Sequence, residues 1–134
     1  GATCDAALAT EMRVTFAGLP FEKMRGAGAK TYETYKAKFS KEPTAYALYA
    51  AEAGRVAIDG IRRAAPALDR AKDITEKREA VRKAIASTKN FDGINGKWNF
   101  DENGDVDYDT MSGFKVVKAD TPIGCKFQFE TILE

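Results

Sequence analysis

Hydrophobic and polar residues alternate near both ends of the chain and recur at helical spacing between them. Met12, Val14 and Phe16 alternate with Arg13, Thr15 and Ala17, which predicts a strand closed by Gly18-Leu19-Pro20. Before it, Ala6 to Ala9 could form a short helix. Residues 21–28 read as a loop with glycines at 26 and 28. Tyr32, Tyr35 and Phe39 then fall at i, i+3 and i+7, the stripe of a helix over 29–39. The break at Ser40-Lys41-Glu42-Pro43 is followed by Thr44, the expected N-cap of the longest helix, 45–64. Tyr46, Tyr49, Ala53, Val56, Ala57, Gly60, Ile61 and Ala64 share its apolar face. Glu52, Arg55, Asp59, Arg62 and Arg63 form its wet face, with pairs from Glu52 to Arg55 and from Asp59 to Arg62 and Arg63. Ala65-Pro66 is expected to end it.

A third helix is predicted over 74–87, with Asp73 and Glu76 as a capping-box variant and Ile74, Val81, Ala84 and Ile85 on its inner face. Next comes NFDGINGKWNFDENGDVD, residues 90–107. Gly93-Ile94-Asn95-Gly96 and Glu102-Asn103-Gly104-Asp105 are turn signals, and Asn-Gly suits the positive φ of tight hairpins. Trp98 and Phe100 should face inward there. Phe114, Val116 and Val117 suggest another strand, and 126–131 alternates as a half-buried one, with Phe127 and Phe129 inward. A strand, three helices and further strands give an α/β or α+β class.

At 134 residues the chain is long enough for one compact domain with a core. No apolar run approaches the ~20 residues of a membrane span. A net charge of +1 with interspersed signs argues against a nucleic-acid surface. The chain contains no histidine, so the commonest general base and zinc ligand are absent. Cys4 and Cys125 are the two cysteines. They could staple the ends in an oxidising compartment or stay two small apolar residues in a reducing one, and the spacing does not decide between these. Gly1 to Asp5 has no basic start or apolar segment, so the signal peptide of an exported protein is expected to be absent from this chain.

Asp101, Asn103, Asp105 and Asp107 have the spacing of a calcium loop, but Val106 and Ser112 stand where that loop needs glycine and a carboxylate. A solvated turn is the plainer reading. Gly26-Ala27-Gly28 lacks the third glycine of a phosphate loop, and nothing ties Glu130 or Glu134 to a nucleophile. No enzyme and no cofactor are expected.

Two longer strings resemble a known family. KEPTAYALYAAEAGRVAIDGI (41–61) and AVRKAIASTKNFDGINGKWNFDENGD (80–105) are similar to segments of extracellular solute-binding proteins of branched-chain amino-acid ABC importers, the Leu/Ile/Val type. VTFAGLP (14–20) and Gly26-Ala27-Gly28 also fit. The resemblance covers nearly all of this chain but only the C-terminal part of a family member. It implies a partial periplasmic-binding-protein-like α/β fold, about three helices on a mixed sheet. Residues 1–18 and 113–134 would belong to one lobe and 19–112 to the other. The implied role is that of a periplasmic solute-binding component serving an ABC permease, with an amino-acid-like ligand. Tyr46 would line the cleft. Tyr46 can also be read from its own stripe as a core tyrosine. Asp5 falls in the region of the family's ammonium-pairing loop, on its later acidic position; the acidic-Gly pair of that loop has no counterpart here. A chain lacking the other half is expected to recruit that half or form a homodimer. The alternative is a stand-alone oligomerising module derived from the family, with ligand binding lost.

Overall fold

The computed structural model describes Cys4 and residues 11–44, 46–107 and 110–133. The proposed helix at Ala6 to Ala9 and the candidate Asp5 lie outside the described residues. The chain divides into two compact units, Gly1–Lys23 with Asp109–Glu134, and Met24–Tyr108.

The first unit is a three-stranded antiparallel sheet in the order β1-β4-β5, made of Arg13–Ala17, Met111–Lys118 and Cys125–Leu133. In β1, Val14 and Phe16 are half-buried and the residues between them are exposed, as their alternation predicts. Ser112, fully buried, donates its hydroxyl to the Gly18 carbonyl at 2.6 Å and ties the end of β1 to the start of β4. Cys4 and Cys125 are joined by a disulfide, with Cα atoms 5.9 Å apart. Val116 and Cys125 form the buried centre, against which Cys4 packs. Phe129 meets Phe114 edge-on at 6.0 Å. Phe127 departs from its predicted inward position and is 64% exposed, on the edge strand of the sheet.

The second unit contains three helices, α1 (Ala27–Phe39), α2 (Ala47–Leu68) and α3 (Ile74–Ala86), plus the hairpin β2 (Phe91–Gly93) and β3 (Gly96–Trp98). The chain is α/β with three helices. Its strands form two sheets, and every strand pairing among the described residues is antiparallel.

Helix ends differ most from the sequence reading. Thr44 does not cap α2: Tyr46 is the N-cap, without a side-chain bond, and the Thr44 carbonyl instead accepts from Ala47 in a preceding turn. Pro66 does not stop α2, which runs two residues further to Leu68. A proline so close to the end forfeits a single ladder bond, and the last turn closes through Asp69 N–H to the Ala65 carbonyl at 3.1 Å. On α3, the Asp73 carboxylate accepts from Glu76 N–H at 2.9 Å, and the Glu76 carboxylate accepts from Lys72 N–H at 2.7 Å. The reciprocal cap therefore forms one residue earlier than a regular capping box.

Helices α2 and α3 pack closely because Gly60 presents no side chain to Ile85: a β-carbon there would overlap the Ile85 side chain. Arg63 leaves the wet face to bind the end of α3. It pairs with Asp59 at 2.7 Å, donates to the Ala84 carbonyl, and reaches Ser87 Oγ at 3.2 Å and Thr88 Oγ1 at 2.7 Å. A guanidinium at a helix C-terminus satisfies carbonyls left without intrahelical partners and opposes the dipole. Ile74 and Ile61, predicted inward, are 61% and 49% exposed. Ile74 is the first residue of α3, ahead of the turn where the packed face begins. Leu48, overlooked in the pattern, is fully buried with Met24, Ile94 and Trp98.

Candidate functional site

The hairpin is fastened to α2 by three side chains spaced three residues apart. Tyr49 accepts from Asn95 Nδ2 at 2.9 Å. Glu52 accepts from the Ile94 backbone N–H and, at 3.0 Å, from the Trp98 indole N–H. Arg55 donates to the Asp92 carbonyl at 3.0 Å and stacks 5.3 Å from the Phe91 ring centre. Each step of three residues turns about 60° back around a helix, so these three side chains spread across one flank of α2 and meet successive residues of the hairpin.

The turn itself is two residues, Ile94 and Asn95, closed by the Gly93–Gly96 pair. The positive φ falls on Gly96, at 120°, and not on Asn95. Gly93 is needed for a different reason: a β-carbon there would strike the Trp98 indole and lie 2.9 Å from Glu52 Oε2. Trp98 is buried as predicted, between Phe91 at 5.1 Å and Phe100 at 4.9 Å.

Tyr46 is the N-cap of α2, three residues before Tyr49. It is 68% exposed, so the reading of it as a core tyrosine is set aside for the described residues. Its place is the exposed start of α2. The α1–α2 connection at this end is held by a cluster in which Tyr32 donates to Glu42 and Lys36 pairs with Glu42 at 2.8 Å. Lys36 and Tyr32 hold the Glu42 carboxyl below its usual range, and Glu42 raises both Tyr32 and Lys36.

Two depressions flank the ladder. A pocket of about 350 Å³ is lined by Tyr49, Glu52, Val56, Ile85, Trp98 and Phe100. An open groove of about 610 Å³ runs along Lys30, Thr34, Tyr35 and Lys38 of α1 to Arg55 and Asp92. The Asp101–Asp107 loop turns its carboxylates onto its own backbone. Asp101 Oδ1 accepts from Asn103 N–H at 2.8 Å and Asp105 N–H at 2.9 Å, and Asp107 accepts from Asn99 N–H at 2.7 Å. The Asp105 N–H leads in holding the Asp101 carboxyl below its usual range, and Asn99 does so for Asp107. Among the described residues, no group of three or more Cys, Asp or Glu is placed to hold a metal ion, and no helix is long and apolar enough to cross a membrane.

Glu52 was missed by the sequence reading, which assigned it to the wet face. A usable signal was present: a buried indole N–H needs an acceptor, and position 52 lies on the stripe between Tyr49 and Val56.

No protein-family model matches the sequence, and no curated protein matches it. Solved structures do. The chain is similar to a leucine-binding protein of Thermotoga maritima, with 29% identity and a TM-score of 0.67 over 93% of this chain and 31% of that one. An ABC transporter substrate-binding protein of Desulfitobacterium hafniense matches at 18% identity and a TM-score of 0.61, over 96% of this chain and 34% of its own. A branched-chain amino-acid transporter substrate-binding protein of Streptococcus pneumoniae, solved with isoleucine, matches at 18% identity and 0.57, over 94% and 32%. The two at 18% identity are likenesses of fold. This chain spans about a third of the length of each, and its α/β architecture is part of a periplasmic-binding-protein-like fold.

Proposed function

We propose that this chain is part of a solute-binding protein for a branched-chain or related amino acid, serving an ABC importer. The observation that carries this reading is the match to a leucine-binding protein at 29% identity over 93% of the chain. On this reading the chain corresponds to the C-terminal part of such a protein, the two compact units belong to its two lobes, and the protein works outside the cytoplasmic membrane with a permease as partner. Ligand uptake would close the lobes through contacts made better in the closed state than in the open one. The disulfide supports an oxidising compartment. Tyr46, exposed at the start of α2, would supply an aromatic wall to the ligand, and Asp5 would lie near its ammonium group.

A thermal-shift screen against leucine, isoleucine, valine and other amino acids tests the proposal. Free ligand at 100 times its Kd adds about 2.7 kcal/mol of stability, so a true ligand raises Tm measurably. Tyr46→Ala should abolish that rise while leaving the ligand-free Tm unchanged, since Tyr46 is 68% exposed. A flat response across the whole panel would reject amino-acid binding by this chain and favour an interaction module.

A further inference from the structure

Strand β5 is an edge of the three-stranded sheet, with β4 as its pairing neighbour. It is nine residues long and largely exposed, including Phe127 at 64%. Long exposed edges with apolar side chains are templates for further strand pairing. The middle of β5 reads Lys126-Phe127-Gln128-Phe129-Glu130, which is complementary to itself when reversed. An antiparallel copy related by a two-fold axis at Gln128 sets Lys126 opposite Glu130 twice and Phe127 opposite Phe129 twice. No other centre within this segment pairs opposite charges.

From this we propose that β5 pairs with β5 of a second copy in that register, giving a two-fold dimer with a continuous six-stranded sheet. Residues directly opposite in a ladder share a face, and the register of the existing sheet separates the two faces cleanly. Val14 lies opposite Phe114, Phe114 opposite Phe129, and Val116 opposite Phe127, which makes one apolar face. Arg13 lies opposite Lys115, and Lys115 opposite Gln128, on the other face. Glu130 reaches Arg13 at 2.6 Å and so joins the charged face with Gln128. The Phe127–Phe129 pairs thereby extend the apolar face across the axis, and the Lys126–Glu130 pairs lie on the charged one. Among the described residues Lys126 forms no ion pair. The ladder skips Glu130 between the Gly113–Thr131 and Phe114–Phe129 pairs, a bulge that sharpens the local twist. It confines the shared ladder to the segment around Gln128 and works against open-ended stacking. The dimer does not depend on the ligand reading.

Sedimentation equilibrium of the whole chain, of Lys126→Glu and of Glu130→Lys tests the register. Wild type should be a concentration-dependent dimer. Each reversal should weaken it about tenfold, because two attractive pairs become repulsive at once. Mixing the two variants in equal amounts should restore wild-type affinity, since opposite charges then meet only across a mixed dimer. Loss of the Arg13 bridge in Glu130→Lys is internal to one copy and is not repaired by mixing. A monomer at every accessible concentration, a dimer indifferent to both reversals, or a mixture no tighter than its parts would each overturn the proposal. Should a reversal fail to fold by circular dichroism, a salt titration of wild type decides: the dimer weakens as salt rises, and a salt-insensitive or open-ended assembly rejects the register.

Discussion

Glu52 and Gly93 show how one side chain and one missing side chain fix the hairpin together. Glu52 satisfies two N–H donors that the hairpin turns toward α2, and Gly93 leaves the room in which it does so. Glu52→Gln keeps one acceptor and puts an amide N–H against the other donor. Stability should fall by about 1–3 kcal/mol, with the change visible in the fluorescence of Trp98, the single tryptophan. Gly93→Ala should cost about 1–3 kcal/mol by overpacking against the indole. Gly54→Ala is the control: it is exposed in α2 with open space where its β-carbon would stand, so it should gain up to about 1 kcal/mol from helix propensity. Urea unfolding of the three variants would give these differences directly.

At the scale of the element, α3 carries a pH-dependent contribution. Arg82 donates to both Glu79 oxygens, at 2.8 and 2.7 Å, and pushes the Glu79 carboxyl down to about 2. A carboxyl lowered on folding adds stability above the ordinary carboxylate range and loses it as pH falls toward about 2. The pair is on the surface and screened by salt, so the effect should be small. Wild type and Glu79→Gln should differ in Tm near neutral pH at low salt, and converge at the acid end or in high salt. Among the described residues, periodicity located the three α-helices and β1, β4 and β5, because apolar spacing is written locally, whereas the 3₁₀ turn at Phe21–Lys23 read as loop. Periodicity placed the end of α1 at Phe39 and the start of α3 at Ile74, but not the ends of α2. Whether Pro66 stops α2 depends on how few ladder bonds remain beyond it, and whether Thr44 caps depends on a turn three residues wide. The site was legible in part. The hairpin and Trp98 showed in their own residues, whereas Glu52 acts on partners 42 and 46 positions away and reads locally as one more charge on a wet face.

For the molecule as a whole, the covalent tie between Cys4 and Cys125 closes a loop with a sequence separation of 121. Loop closure of that length restricts the unfolded chain, and reduction should lower the unfolding free energy by about 3–5 kcal/mol. Unfolding with and without reductant measures this, with intact mass reporting the two hydrogens gained. The first unit is also discontinuous. Its β1 and β4 lie on either side of the entire second unit, and the Ser112–Gly18 bond spans 94 positions. During synthesis on the ribosome, Met24–Tyr108 therefore emerges complete while β1 still waits for its partner strand. Nascent chains halted so that residue 108 has just left the exit tunnel should already protect the hairpin and helices from protease and leave 11–23 open to cleavage. Oxidation of the cysteine pair then has to wait until β5, which carries Cys125, has left the exit tunnel.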